Sequence, residues 1–248
     1  MGKTAEGGTI VWELVNERSP DFMLASARIR VFDASGDVIT TVATPSVPTA
    51  AFRTLSSQDG PVRLFLNYSA WPEAQLLANE HILLSPATEP LLQWYDLSGE
   101  LVRQVRLNVP TDVTNEDRAA VEMALDRAVA VGGDDAETWR MQRARLQFAD
   151  QKAPWSLTRV DDAGYLWLFK TFATARVVAE GQYDYELMVV SPEGEYLGDT
   201  TLPTATISLL GTRFIGGHLL TIVEDPETGE AIPTVYRLRS AVEGFTYR

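Results

Sequence analysis

A hairpin written three times in one register constrains this chain more than any other feature. Arg28-Ile29-Arg30-Val31-Phe32 alternates at period two, turns through Asp33-Ala34-Ser35-Gly36 and continues as Asp37-Val38-Ile39-Thr40-Thr41-Val42. Leu92 to Leu101 and Leu187 to Tyr196 repeat the arrangement, with an apolar residue five before the glycine (Val31, Trp94, Val189) and another two after it (Val38, Leu101, Tyr196). A glycine closing a short polar loop between alternating strands takes φ > 0 in a tight hairpin. Copies in fixed register are an internal repeat, and repeats of this length stack against one another to bury a common core.

A second repeat precedes each hairpin. Trp71 to Leu84 aligns without gaps on Trp155 to Leu168, and shorter versions begin at Gly216-Gly217-His218 and Gly7-Gly8-Thr9. Together the two repeats spell strand, tight turn, apolar strand, variable loop, alternating strand, glycine hairpin and outer strand, with Trp155 to Pro203 the clearest example. That is a four-stranded meander, present in three to four copies. The run Tyr165-Leu166-Trp167-Leu168-Phe169 is apolar on both faces, which suits a strand sandwiched between neighbouring sheets. An all-β fold of β-propeller blades provides such strands.

Two stretches break the rhythm. Ala51 to Leu55 and Val62 to Leu66 flank Gln58-Asp59-Gly60-Pro61 and read as an extra hairpin. Between the second and third repeats, about residues 114–150, the pattern becomes helical. Thr114 is the expected N-cap, Glu116 and Asp117 stand in the first turn, and Val121, Ala124, Leu125 and Ala128 share one face. After Gly132-Gly133 a second helix carries Trp139, Arg143 and Leu146. The expected organisation is one propeller domain over residues 1–248 with this two-helix insertion.

Composition narrows the function. A formal net charge of −13 argues against nucleic acid, whose recognition needs clustered Lys and Arg. Without cysteine, disulfides, thiolate metal ligands and thiol nucleophiles all drop out. No run approaches the roughly 18 apolar residues of a membrane span. Met1-Gly2-Lys3-Thr4-Ala5-Glu6 shows neither a secretion signal nor a myristoylation pattern. Gly2-Lys3-Thr4 has the end of a phosphate-binding loop without the glycine or the helix that such a loop needs, and Asn67-Tyr68-Ser69 is a formal glycosylation sequon.

The segments Arg30 to Gly36, Val160 to Trp167, Val190 to Gly198 with Leu202-Pro203, and Val235 to Leu238 resemble the six-bladed β-propeller proteins of NHL-like or TolB-like type, over most of the chain. The resemblance implies a binding or protein-interaction module, with a protein or small-molecule ligand and an extracytoplasmic setting. It covers what looks like the C-terminal half of the family. The expectations are therefore an upstream truncation, ring closure by two copies, or a smaller propeller, with self-association where the ring is incomplete.

Chemistry is sparse. His81 and His218 align with Tyr165, and with Thr9 in the first copy; a position that accepts such different residues reads as a strand position beside a turn rather than a ligand or base. The alternative function is a calcium-dependent lactonase-type hydrolase or lyase, which the resemblance associates with a metal in the central channel held by carboxylate and amide oxygens. Glu73, Asp161, Asp162 and Asp225 are its candidate ligands, although the turn itself explains Asp161-Asp162. Trp71, Trp155 and Arg159 are the candidate ligand-binding residues. They stand on or just before the innermost strands, which the helical insertion adjoins, and loops on rigid scaffolds carry recognition. The other reading is that both tryptophans pack between blades and the helices cap a sheet edge.

Overall fold

The computed structural model describes residues 2–18, 23–44, 46–48, 53–57, 60–64, 66–78, 80–133, 136–171, 185–202, 211–225 and 227–238. Ala51, Phe52, Gln58, Asp59, Phe65 and Pro203, each placed by the sequence pattern in a strand, turn or repeat, lie outside them.

The first sheet contains β1 (Gly2–Lys3), β2 (Thr9–Arg18), β3 (Met23–Phe32) and β4 (Val38–Ala43) in that order, with β5 (Val47–Pro48) pairing β3. A separate hairpin, β6 (Arg53–Ser57) and β7 (Gly60–Leu64), follows where the extra hairpin is expected. After β8 (Leu66–Asn67) comes the second meander: β9 (Glu73–Leu76), β10 (Ile82–Ser85), β11 (Leu91–Tyr95) and β12 (Leu101–Arg106). Helices α1 (Asn115–Val131) and α2 (Ala136–Ala144) and the short β13 (Gln147–Phe148) form the insertion. The third meander is β14 (Trp155–Val160), β15 (Leu166–Lys170), β16 (Glu186–Val190) and β17 (Tyr196–Thr201). A three-stranded sheet of β18 (Arg213–Ile215), β19 (His218–Glu224) and β20 (Ala231–Arg237) follows. The fold is all-β, made of propeller blades with a two-helix insertion. Among the described residues no helix is long and apolar enough to cross a membrane.

The chain divides into two compact units, residues 1–157 with 171–180 and residues 158–170 with 181–248. In the first, the inward residues of the first two sheets meet face to face: Ile10, Ala27, Ile29, Val31 and Val42 against Ile82 and Leu84, flanked by Leu76 and Tyr95. Each of the Val, Leu and Ile side chains contributes about 1.5–3 kcal/mol on burial. In the second unit, Trp167 stacks on Phe214 with ring centroids 4.1 Å apart and planes 8° apart, and Phe169 meets the same ring edge-on. The expectation that the run Tyr165 to Phe169 is buried on both faces holds for Leu166 to Phe169 of β15, Tyr165 being half-buried; β10 is buried likewise, whereas β19 alternates between exposed and buried residues at its start.

The turns explain the repeat. Asp33, Asp96 and Ser191 each donate their N–H to the carbonyl four residues on and accept from the glycine three residues on. Each side-chain oxygen then accepts backbone N–H groups of the same loop. The N–H of Asp37 leads in holding the Asp33 carboxyl below its ordinary range, opposed by slight desolvation, and the Ser98 hydroxyl does the same for Asp96. Thr4, Leu77 and Asp161 open a matching turn between the first two strands.

That turn corrects one alignment. Thr4 N–H bonds the Gly8 carbonyl as Leu77 bonds His81 and Asp161 bonds Tyr165. Gly8, not Thr9, therefore occupies the His81 and Tyr165 position. Thr9 pairs Phe32 as Ile82 pairs Tyr95 and Leu166 pairs Val190. The double glycine misled the alignment because the fourth copy uses Gly216-Gly217 in a shorter turn, with Ile215 directly opposite His218.

The insertion is anchored to the strand entering the second meander. Thr114 caps α1 in a reciprocal capping box with Asp117. Val121 and Leu125 bury against Tyr68, with Val113, Trp139, Leu146 and Phe148 around them. Leu146 lies just beyond α2, so it joins this cluster from the return segment. β8 and β13 run parallel, and Ala153 N–H bonds the Tyr68 carbonyl, so the segments leading to Trp71 and Trp155 run side by side.

Candidate functional site

The first unit contains a cleft of about 360 Å³ between its first two sheets, lined by Ile10 and Trp12 of β2, Ile29 of β3, Ala74, Gln75 and Leu76 of β9, and Ile82 of β10. Its lining side chains are apolar except for Gln75, but polar atoms make up nearly half of the exposed lining surface. Trp12 is 37% exposed, unusual for an indole on a strand whose neighbours Ile10 and Ile29 are buried. A recess of this size, near the lower end of the roughly 300–1,000 Å³ range, with apolar side chains beside polar surface, suits a small, partly apolar group of a ligand.

Alternation explains why these residues share the cleft. Ile10 and Trp12 stand two apart on β2 and so point to one face, and Ile29 is the cross-strand partner of Trp12. Across the gap, Leu76 pairs Ile82 in the sister sheet. Sequence reasoning passed over Trp12 because an aromatic in a β-branched run reads as core. The sequence carried no signal for it; by ladder register Trp12 corresponds to Ser85 and Phe169, which are 3% and 0% exposed.

The residues singled out from sequence fall elsewhere. Trp155 is 2% exposed, and its indole Nε1 donates to Ser85 Oγ at 2.6 Å. Trp71 is half-buried and directly follows Ala70, which clusters with Ala153 and with Ala87 of the β10–β11 connection. Arg159 in the second unit is half-buried and donates from Nη1 to the Thr158 carbonyl at 2.9 Å; Arg213 does the same with Thr212. Thr158 and Thr212 are themselves buried, which makes Thr-Arg a second small repeat of the innermost strand.

The candidate carboxylates are engaged in the fold. Asp161 Oδ1 accepts from Ala163 and Tyr165 N–H, and its Oδ2 from the Trp167 indole. Asp162 accepts from Gly216 N–H, and Asp225 from Glu227 and Thr228 N–H. Among the described residues no group of three or more His, Cys, Asp or Glu is placed to hold a metal ion. His218 ring Nδ1 contacts the Gly216 carbonyl at 2.7 Å, a local turn contact. The sequon residue Asn67 is 1% exposed, its amide donating to the Gln147 carbonyl, and so it is closed to modification.

One further polar cluster stands on the insertion. Lys152 Nζ lies 3.0 Å from Asp117 Oδ2 and 5.5 Å from the Tyr68 ring, whose hydroxyl donates to the Asp117 carbonyl. Arg118 covers Phe148, which stacks on Tyr68. Burial pushes the Asp117 carboxyl up, but the Thr114 N–H, the Lys152 ammonium and the Thr114 hydroxyl together hold it below its ordinary value. Asp117, Lys152, Thr114 and the Tyr68 hydroxyl partner one another, which makes the cluster an anchor for α1.

No protein-family model and no curated protein matches the chain. Among solved structures it is similar to a protein of unknown function from Bacteroides caccae, at 12% identity and TM-score 0.37 over 91% of this chain and 61% of that one. It is similar also to a Lactobacillus plantarum protein, at 10% and 0.35 over 98% and 56%. A third is virginiamycin B lyase from Staphylococcus aureus, at 9% and 0.29 over 96% and 83%. The chain spans less than two thirds of the length of the first two. Likenesses this distant carry no reading of function.

Proposed function

We propose that this chain is a binding module on a single-domain propeller scaffold of the six-bladed NHL-like or TolB-like type, and that the cleft beside Trp12 seats an apolar part of its ligand. The observation that carries the reading is the half-exposed indole at the wall of a cleft of about 360 Å³. Water against apolar walls is displaced favourably by about 25 cal/mol per Å² of apolar surface covered. Trp71, and Arg159 in the second unit, are proposed as ligand contacts outside the cleft, with Trp155 holding the segment that precedes Arg159. The ligand is a protein segment or a small molecule.

The test is titration with an uncharged, environment-sensitive apolar fluorophore, following probe emission and tryptophan quenching. Saturable binding that Trp12→Ala weakens about tenfold, with an unchanged melt, is the expected result; a tenfold loss corresponds to about 1.4 kcal/mol. Equal binding by Trp12→Ala, or none by the parent protein, removes the cleft from the function.

A further inference from the structure

Two arginines in the second unit fold over the free edges of neighbouring sheets. Arg159 of β14 and Arg213 of β18 each follow a buried threonine, and each donates from Nη1 to that threonine's carbonyl at 2.9 Å. The ladders show where those carbonyls point. Asp161 N–H bonds the Tyr165 carbonyl, so Asp161 faces β15; alternation then turns Val160 away, Arg159 toward and Thr158 away. Ile215 pairs His218 across Gly216-Gly217, so by the same alternation Arg213 faces β19 and Thr212 faces out. The Thr212 and Thr221 hydroxyl oxygens lie 3.0 Å apart, as suits the closer side chains of a non-hydrogen-bonded pair. Among the described residues β14 and β18 are the end strands of their sheets on this side. Both guanidiniums therefore cap carbonyls at a free edge.

The two edges stand side by side in register. Asp162 accepts from Gly216 N–H at 2.9 Å, and Arg159 and Arg213 each stand three residues before a member of that pair. The Trp167 ring stacks on Phe214, which holds the two sheets face to face. Packed sheets lie about 10 Å apart, a gap that two arginine side chains and a small ligand between them can span. Blade geometry does not require the charge: Gln75, two residues before Leu77 as Arg159 is two before Asp161, takes the same ladder position in the first unit.

We infer that this pair of edges binds a small molecule carrying two oxyanion groups, one against each guanidinium. The tie to the threonine carbonyl fixes the plane of each fork, and a planar fork recognises a carboxylate or phosphate group by paired, charge-assisted hydrogen bonds. In a protein of net charge −13, two guanidiniums held at one edge make a local positive field that selects an anion. This inference rests on the reading of Arg159 as a ligand contact, not on the cleft beside Trp12, and specifies the chemistry of the ligand there.

The experiment titrates the full chain calorimetrically at low ionic strength with inorganic pyrophosphate, with glutarate and with acetate. Saturable binding of pyrophosphate or glutarate is expected, and which of the two binds tells phosphate from carboxylate. Acetate, with one oxyanion group, is expected to bind at least tenfold more weakly. Arg159→Gln and Arg213→Gln should each weaken the dianion at least tenfold with an unchanged melt. No saturable binding of either dianion, acetate binding as tight as theirs, or an affinity unchanged in either variant overturns the inference. Should a variant not fold, the arginine Nε–H resonances of the parent protein decide: both Arg159 and Arg213 shift with the bound dianion, and a shift of neither or of one alone overturns the shared site. The apolar fluorophore, titrated in parallel, reads the cleft by itself. If it binds and neither dianion does, the cleft reading stands and this inference falls; if nothing binds, both fall.

Discussion

Trp155 and Ser85, 70 residues apart in the chain, share a 2.6 Å hydrogen bond from the indole Nε1 to the serine hydroxyl, with both side chains buried. The bond ties the first residue of β14 to the last residue of β10. Ser85→Ala leaves a buried indole N–H without this acceptor and is expected to cost about 1–3 kcal/mol. In a urea double-mutant cycle, Trp155→Phe should cost less in the Ser85→Ala background than alone. Strict additivity would show that the bond contributes nothing.

The same pair weighs the two readings of Trp155. Trp155→Ala removes a fully buried ring, for which a loss of about 3–5 kcal/mol is ordinary. A collapsed melt makes the residue structural. A folded Trp155→Ala protein that has lost ligand binding gives it a place in recognition.

Asp161 joins a turn to a core ring, since one carboxylate oxygen accepts two loop N–H groups and the other the Trp167 indole. Asp161→Ala leaves one buried and two part-buried donors without this acceptor, and a loss of about 1–3 kcal/mol is expected. Near-ultraviolet circular dichroism should change with it, because Trp167 stacks on Phe214. An unchanged spectrum and midpoint would count against the bridging role.

Gly36 and Gly99 occupy the same turn position with φ of 91° and 87°. A Cβ at Gly99 would stand 2.6 Å from Thr40 Oγ1, whereas nothing lies within 4 Å of one at Gly36. Both alanine variants incur the left-handed strain of about 1–2 kcal/mol, and Gly99→Ala is expected to exceed Gly36→Ala. Adding Thr40→Ala should bring the two to the same midpoint in denaturant. A difference that survives Thr40→Ala would place its cause elsewhere.

Asp117 supplies a pH-dependent contribution. Its folded pKa lies below the ordinary value of 3.8, the lowering by the Thr114 N–H and Lys152 outweighing burial. A depressed acidic pKa stabilises fully above the unfolded value, and the contribution is lost as pH falls through the folded one. Asp117→Asn should therefore be less stable than the parent at pH 7, with the gap narrowing as pH falls below about 4 and closing once it has passed through the depressed folded pKa. A gap constant across that range would mean that the carboxylate charge is irrelevant to the cap.

The glycine hairpins and the strand and helix types were legible from residue order because they are local. A turn that needs φ > 0 selects glycine, and a helix start selects a capping threonine, whatever the rest of the chain does. The offset between Gly8 and Thr9 was not legible, because two turns of different length can end in the same double glycine. Only the ladder partner, Phe32 for Thr9, decides which residue is equivalent to which.

Residue order by itself determined the meander, its repetition and the apolar character of Trp12, Trp155 and Trp167. Tertiary structure alone decided their fates: Trp155 against Ser85, Trp167 on Phe214, and Trp12 at an open cleft. The physical reason is that burial depends on what lies across the gap. Trp155 lies where the Ser85 hydroxyl comes within 2.6 Å of its indole and Trp167 where the Phe214 ring stacks on it, whereas Trp12 meets the cleft between the first two sheets.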